Sequence, residues 1–318
     1  MIHGPSSCRS VTDLMTEIRT ACARVAQRAR HVSIEVQAIP AYAEALELGR
    51  DLQACDGEAE QTIGTREQLA AFWLTLDAIN FGSGWFPTLR KRQGRSGYFT
   101  VALGVRERFD SRGPWSAEEL AEIDVAELAD VLAQDPRHEL MALFARSLRD
   151  LGSHVADEFE GRFAGVVDEA EGSAARLATL LGGWESFADS SSYEGISVPF
   201  FKRAQLAAAD LHRAGVASFS DFQRLTMFAD NLVPHVLRLD DVLRFDPQLV
   251  GRINRGELIE HGSPEEVEIR ACALRAVELI VADRPQSCAA DVDYALWTRG
   301  QQTRYKASPR HRSRCTAY

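Results

Sequence analysis

Across residues 69–81 apolar side chains cover nearly the whole helical circumference, interrupted only by Thr75, Asp77 and Asn80. A helix that is apolar all round is buried on every side, so this stretch is predicted as a central core helix. Asp77 and Asn80 must then find partners inside the protein. Helical starts are written as capping boxes at Thr65 with Gln68, Ser116 with Glu119 and Ser263 with Glu266, and Pro264 takes the favoured first helical position. The helix after Ser263 is predicted to bury Val267, Cys272, Leu274, Val277 and Ile280, with Glu268 and Arg270 as polar members in salt-bridging or capping roles. Strand signals are few. Residues 88–99 carry the basic turn RKRQGRSG, which reads as one small β-hairpin or, more commonly for such a run, as an exposed loop.

From Lys202 to Leu243 the pattern gives a helix, a turn at Gly215, a short helix from Ser220, then Asp230 and a further helix from about Pro234. The expected fold class is therefore mainly all-α, as one helical domain over residues 1–318 with two lobes as the alternative. Within that pattern, residues 225–237 (LTMFADNLVPHVL) set a carboxylate, Asp230, among apolar residues just before a helix. Ionising such an acid is expensive unless something nearby stabilises the charge. Upstream, PFFKRAQLAAAD (residues 199–210) places Lys202 and Arg203 at a helix start, where a cation can supply that stabilisation. On the residues alone, helix capping and catalysis are equally good accounts of Asp230.

With 318 residues and 45% hydrophobic content the chain can build a large core. The net charge of −10 argues against gripping a long nucleic-acid backbone, which needs a broad basic surface, and favours a small substrate. Cys8, Cys22, Cys55, Cys272, Cys288 and Cys315 show no metal-ligand spacing. Neither a secretory leader nor an apolar run near 18 residues is present, so a cytoplasmic protein without a membrane partner is expected. Cofactor fingerprints are absent and no metal or cofactor is expected. His235 reads as a satisfied helix histidine, and the pair Asp240 and Asp241 as solvent-facing or capping. The basic run from Arg304 to Arg314 is the local exception to the acidic balance, and such runs are usually solvated tails.

The blocks FFKRAQLAAADL, FSDFQRLTMFADNLVPHVL, INRGELIEHGSPEEVEIRACALRAVELI, DYALW and HRSRCTAY, in this order, resemble the queuosine salvage family. The likeness is dense over residues 193–318 and thinner over 34–103, where DAINF and SGYFTVAL carry it. It implies a queuosine 5′-phosphate N-glycosylase that releases queuine, with a fold similar to the helix-hairpin-helix DNA glycosylases and an ordered C-terminus. A base-excision DNA glycosylase and a non-catalytic nucleotide-binding helical protein are the alternatives.

The resemblance also implies site roles. A carboxylate at Asp230 stabilises the positive charge that develops on the ribose, and acts as stabiliser, base or nucleophile. Lys202 serves the 5′-phosphate or holds Asp230 ionised. Phe228 stacks on the base or packs in the core, while Asp293 accepts from the guanine-like edge or pairs with queuine's ammonium. Tyr294 and Trp297 stand beside it, and Asn80 with Phe81 matches a motif near the pocket. The chain departs from the family pattern at Thr298, where an acid is expected, and in lacking a histidine upstream of the Asn-Phe pair. These departures bear on the exact nucleobase more than on the glycosidic chemistry.

Overall fold

The predicted central helix forms at Arg66–Ala78 in a computed structural model that describes residues 13–48 and 63–318, so Cys8 and Cys55 fall outside the described residues. Thr65 and Gln68 close the capping box, and every residue from Ala70 to Ala78 is buried. Neighbouring helices Gly97–Arg112, Glu139–Phe159 and Lys202–Arg213 pack against it. It ends three residues short of the apolar run. The Ala78 carbonyl accepts from Ser147 Oγ at 2.6 Å and from Arg203 Nη1 at 2.5 Å, and residues 79–81 leave the helical path. Arg203 is buried with its guanidinium over the Phe81 and Phe187 rings, at 4.8 and 5.6 Å.

A second buried helix, Pro264–Ala282, holds Val267, Cys272, Leu274, Val277 and Ile280 out of solvent, as their spacing predicts. Ser263 Oγ accepts from Glu266 N at 3.3 Å, but the box closes one residue early: the Glu266 carboxylate accepts from Gly262 N at 3.1 Å. Glu266 is drawn towards Arg270, 3.5 Å away, and His261, 3.4 Å away, which hold its carboxyl at about 2 despite burial. Arg270 takes the salt-bridging role expected of it, whereas Glu268 neither pairs with a cation nor caps a helix among the described residues. Glu268 Oε2 accepts from the backbone N–H groups of Arg30, His31 and Val32, and Oε1 from the Tyr193 hydroxyl. Arg270 Nη2 pairs with Asp189 Oδ2 at 2.6 Å, and its Nε donates to the Ala229 carbonyl at 2.8 Å.

Among the described residues the molecule is mainly helical, with four short strands in two antiparallel pairs: Val32–Ile34 with Leu243–Phe245, and Ser190–Tyr193 with Ile196–Pro199. The hairpin is therefore not at residues 88–99. There Ser96 Oγ accepts from Phe99 N and starts the helix Gly97–Arg112, so the run is a loop feeding a helix. The true hairpin turns on Glu194 and Gly195, both at positive φ (46° and 78°), the geometry of a two-residue hairpin turn. No helix among the described residues is long and apolar enough to cross a membrane.

Candidate functional site

Asp189 sets the first part of the site. Its backbone carbonyl accepts from Phe200 N and Phe201 N, and its carboxylate accepts from Lys202 N at 3.0 Å. This grip holds Phe201 at a positive φ of 45°, unusual for a residue with a Cβ, and starts the helix Lys202–Arg213 at a fixed angle. Residues 202, 206, 210 and 213 then fall on one face and line a cavity of about 210 Å³. The cavity's other walls come from Asn80 and Phe81 after the central helix, Phe228 and Asp230 before the helix Leu232–Leu239, and Asp293, Tyr294 and Trp297 on the helix Ala289–Arg299.

Asp230 is both a cap and a cavity residue. Its Oδ1 accepts from Leu232 N at 2.8 Å and Val233 N at 3.0 Å, so the helix begins at Leu232, two residues before the expected Pro234. Both bonds fall on one oxygen, and no described residue hydrogen-bonds the other. The neighbouring Ala229 carbonyl is held by Arg270, which through Asp189 also holds the start of the Lys202 helix. One buried guanidinium thus fixes the two backbone segments that carry Asp230 and Lys202.

Lys202 is buried, with Nζ 3.2 Å from the Asn80 carbonyl. Burial lowers its pKa, opposed first by Asp230 and then by Asp77. Asp77, fully buried, lies 3.5 Å from Asn80 Nδ2 through Oδ1 and has no hydrogen bond to Oδ2; desolvation and the nearby Asp210 raise its carboxyl well above the usual range. Asp293 Oδ1 accepts from Phe228 N at 3.0 Å, tying the base of the Asp230 loop to the helix Ala289–Arg299. Desolvation and the Asp230 charge push Asp293 well above the carboxylate range. Arg213 lies 3.4 Å from Asp210 and 4.7 Å from the Tyr294 ring centre.

The structure thus brings together Asp230, Lys202, Phe228, Asp293, Tyr294, Asn80 and Phe81. Thr298 is apart from them: it does not line the cavity, and its Oγ1 is buried without a hydrogen-bond partner. Asp240 is not solvent-facing. It accepts from the Tyr42 and Tyr305 hydroxyls at 2.8 and 2.7 Å and pairs with Arg299 at 3.1 Å, whereas Asp241 is exposed. His235 is the satisfied helix histidine its neighbours predict, 2.9 Å from the Tyr305 carbonyl.

Sequence reasoning missed Asp210 and Arg213, although their spacing from Lys202 puts all three on one helical face. It also left Lys306, Arg310 and Tyr318 without a ligand role, and all three line the cavity. The C-terminal segment is not a loose tail. Ile259 N bonds to the Arg312 carbonyl at 2.9 Å, Gly82 N to the Tyr318 carbonyl at 3.1 Å, and the Arg270 guanidinium lies 4.7 Å from the Tyr318 ring centre. Among the described residues no group of three or more His, Cys, Asp or Glu side chains is arranged to hold a metal ion.

A fixed carboxylate beside a buried ammonium, with an aromatic wall and a second acid facing them, can stabilise a cation developing on a bound sugar while a base is held opposite. The model of the queuosine salvage protein family matches residues 60–318. A protein of Sphaerobacter thermophilus named queuosine 5′-phosphate N-glycosylase/hydrolase is 35% identical, with 95% of this chain and 97% of that one covered. Relatives of the same name from Mus musculus (30% identical, 70% and 72% covered) and Dictyostelium discoideum (27%, 94% and 98%) are also similar. On the family model and this extent of likeness, the chain belongs to the queuosine salvage protein family.

Proposed function

We propose that this protein hydrolyses the N-glycosidic bond of queuosine 5′-phosphate, releasing queuine and ribose 5-phosphate, with water as the only co-reactant. The observation that carries the reading is Asp230. One carboxylate oxygen is pinned by two backbone N–H groups, and the other, on the cavity wall, has no hydrogen bond from a described residue. Pinning removes the cost of reorienting the carboxylate as positive charge grows at the anomeric carbon, which is how a preorganised group favours the transition state over the ground state. Lys202, buried with Nζ on the Asn80 carbonyl and with Asp230 and Asp77 as its nearest opposing charges, sets a cation beside Asp230.

Queuine is a 7-deazapurine without the ring nitrogen that ordinary purine hydrolases protonate, so electrostatic stabilisation carries more of the barrier. Asp293 has one oxygen on Phe228 N–H and the other for the base, with Phe228, Tyr294 and Trp297 supplying aromatic surface around it. Because Thr298 stands away from the cavity and replaces an expected acid, the arm of queuine is less strictly demanded, and nucleotides with a shorter cationic 7-substituent are also substrates.

The succession of helix, Gly215 turn, short helix, Asp230 and helix supports a fold of the helix-hairpin-helix glycosylase kind, built as one helical domain. Cys22, Cys272, Cys288 and Cys315, all buried and unpaired, suit a reducing cytoplasm. The test is incubation with queuosine 5′-phosphate and, separately, damaged duplex DNA. Free queuine from the first and no base from the second is expected; base released from DNA alone would refute the reading.

A further inference from the structure

Arg270 lies fully buried in the helix Pro264–Ala282 and does not itself line the cavity. Its contacts nevertheless reach three parts of the wall. Nη2 donates to Asp189 Oδ2 at 2.6 Å, and that same oxygen accepts from Lys202 N at 3.0 Å. Nε donates at 2.8 Å to the carbonyl of Ala229, the residue before Asp230. The guanidinium also meets two rings, 3.9 Å from the centre of Phe200 and 4.7 Å from that of Tyr318, a cavity residue at the end of the chain.

This is a poor arrangement for stability alone. A buried guanidinium stabilises most when it grips one carboxylate through two parallel bonds, and apolar residues of similar volume in place of a buried ion pair are often as stable. Here the pair with Asp189 is made through one oxygen. Asp189 Oδ1 and Arg270 Nη1 have no hydrogen-bond partner among the described residues, and Glu266 Oε1 stands 3.5 Å from Nη1. What the divided donors do fix is geometry. A planar group with donors at set angles holds the Ala229 carbonyl and the Asp189 carboxylate at one spacing. With them it holds the loop ahead of Asp230 and the start of the Lys202 helix.

Resting on the proposed reaction, we infer that Arg270 is a positioning residue for glycosidic cleavage, setting the spacing between Asp230 and Lys202 without touching substrate. It therefore acts on the chemical step more than on binding. A preorganised charge displaced by about 1 Å from the reacting centre can lose about 10²-fold in rate. Binding is spread over many wall residues and tolerates such a shift better.

The test compares the wild type with Arg270→Lys and Asp189→Asn, each alone and combined with Asp230→Asn. Lysine keeps the charge but is a point donor, unable to hold both acceptors at the guanidinium's spacing. Asparagine keeps an oxygen for Lys202 N and removes the charge that draws Arg270. Single-turnover queuine release, KM for queuosine 5′-phosphate and melting temperature are measured on each. Both single variants should release queuine about 10- to 10²-fold more slowly, with KM within a few-fold of wild type. In the Asp230→Asn background most of that loss should disappear, because a group that acts by placing Asp230 has no charge left to place. If Arg270→Lys does not fold, Asp189→Asn carries the same comparison.

A loss of the same size in both backgrounds, or a loss that appears in KM instead of the release rate, would reduce Arg270 to a structural residue and overturn the inference while leaving the hydrolysis intact. Release at the wild-type rate in both single variants would do the same. A wild-type protein that releases no queuine would sink the reaction, and the inference with it.

Discussion

Two buried histidines connect single residues to the behaviour of the molecule in acid. Burial pushes His235 down to about 4 and His311 down to about 3; His235 sits against the C-terminal segment that closes the cavity and His311 is part of it. A histidine with a depressed folded pKa contributes stability that is complete above its unfolded value near 6.5 and is lost as pH falls through the folded one, because the unfolded chain takes up the proton first. His261, raised to about 10 by Cys315 and Glu266, is protonated in both states below 6.5 and does not offset this. Between pH 6.5 and 4 the protein should therefore lose on the order of 3 kcal/mol for His235 alone, at about 1.4 kcal/mol per pH unit. Chemical denaturation across that window should give a shallower pH slope for His235→Gln, and parallel slopes would show that His235 is not the titrating group. At this scale the sequence was informative where residue type and neighbours agree, as for Asp230, Lys202 and Asp293. It was silent on Arg310, since a basic run in an acidic chain has the same composition whether it is solvated or folded over a cavity.

Elements were most legible where one local interaction decides them. Thr65 and Ser116 write their own capping boxes, and a run before residue 79 that is apolar around nearly its whole circumference reads as a buried helix. Pairings between distant segments left no such trace. The strand Val32–Ile34 meets Leu243–Phe245 across two hundred residues of chain, and no local signal marks three-residue strands of this kind. The clasp at Glu268 shows what holds the first of them. One carboxylate oxygen accepts from three successive backbone N–H groups at 2.9, 2.6 and 3.1 Å, and the other from Tyr193 at 2.8 Å, joining the buried helix Pro264–Ala282 to both strand pairs. Glu268→Gln keeps the shape but removes the charge and one acceptor, so it should lower stability by about 3 kcal/mol, the upper end for bonds to a charged group. Urea titration checks this. A change below about 0.5 kcal/mol would mean that residues 30–32 are held by packing rather than by the clasp.

Over the whole molecule, the site is closed by the end of the chain lying against residues that follow the central helix. Gly84 makes that contact possible: a Cβ there would stand 2.4 Å from the Ser313 carbonyl oxygen and 2.9 Å from Arg314 N, so only a glycine lets the two backbones meet. Gly84→Ala should displace the segment bearing Arg310 and Tyr318, costing roughly 1–3 kcal/mol of stability and raising KM. Thermal denaturation and steady-state kinetics read the two effects. An unaltered KM would show that the C-terminal segment closes the cavity without holding substrate.

The central claim is that Asp230 acts on the transition state of glycosidic cleavage, and its geometry offers a clean separation of that role from capping. Asparagine keeps an oxygen able to accept from Leu232 N and Val233 N, so Asp230→Asn preserves the helix start and removes only the charge. The decisive measurement is single-turnover release of queuine from queuosine 5′-phosphate by the wild type and by Asp230→Asn, with melting temperature and substrate affinity determined on the same preparations. The account predicts an unchanged melting temperature, affinity within a few-fold, and a rate lower by at least about 10³-fold. A folded Asp230→Asn protein that releases queuine at close to the wild-type rate would reduce Asp230 to a helix cap and contradict the account.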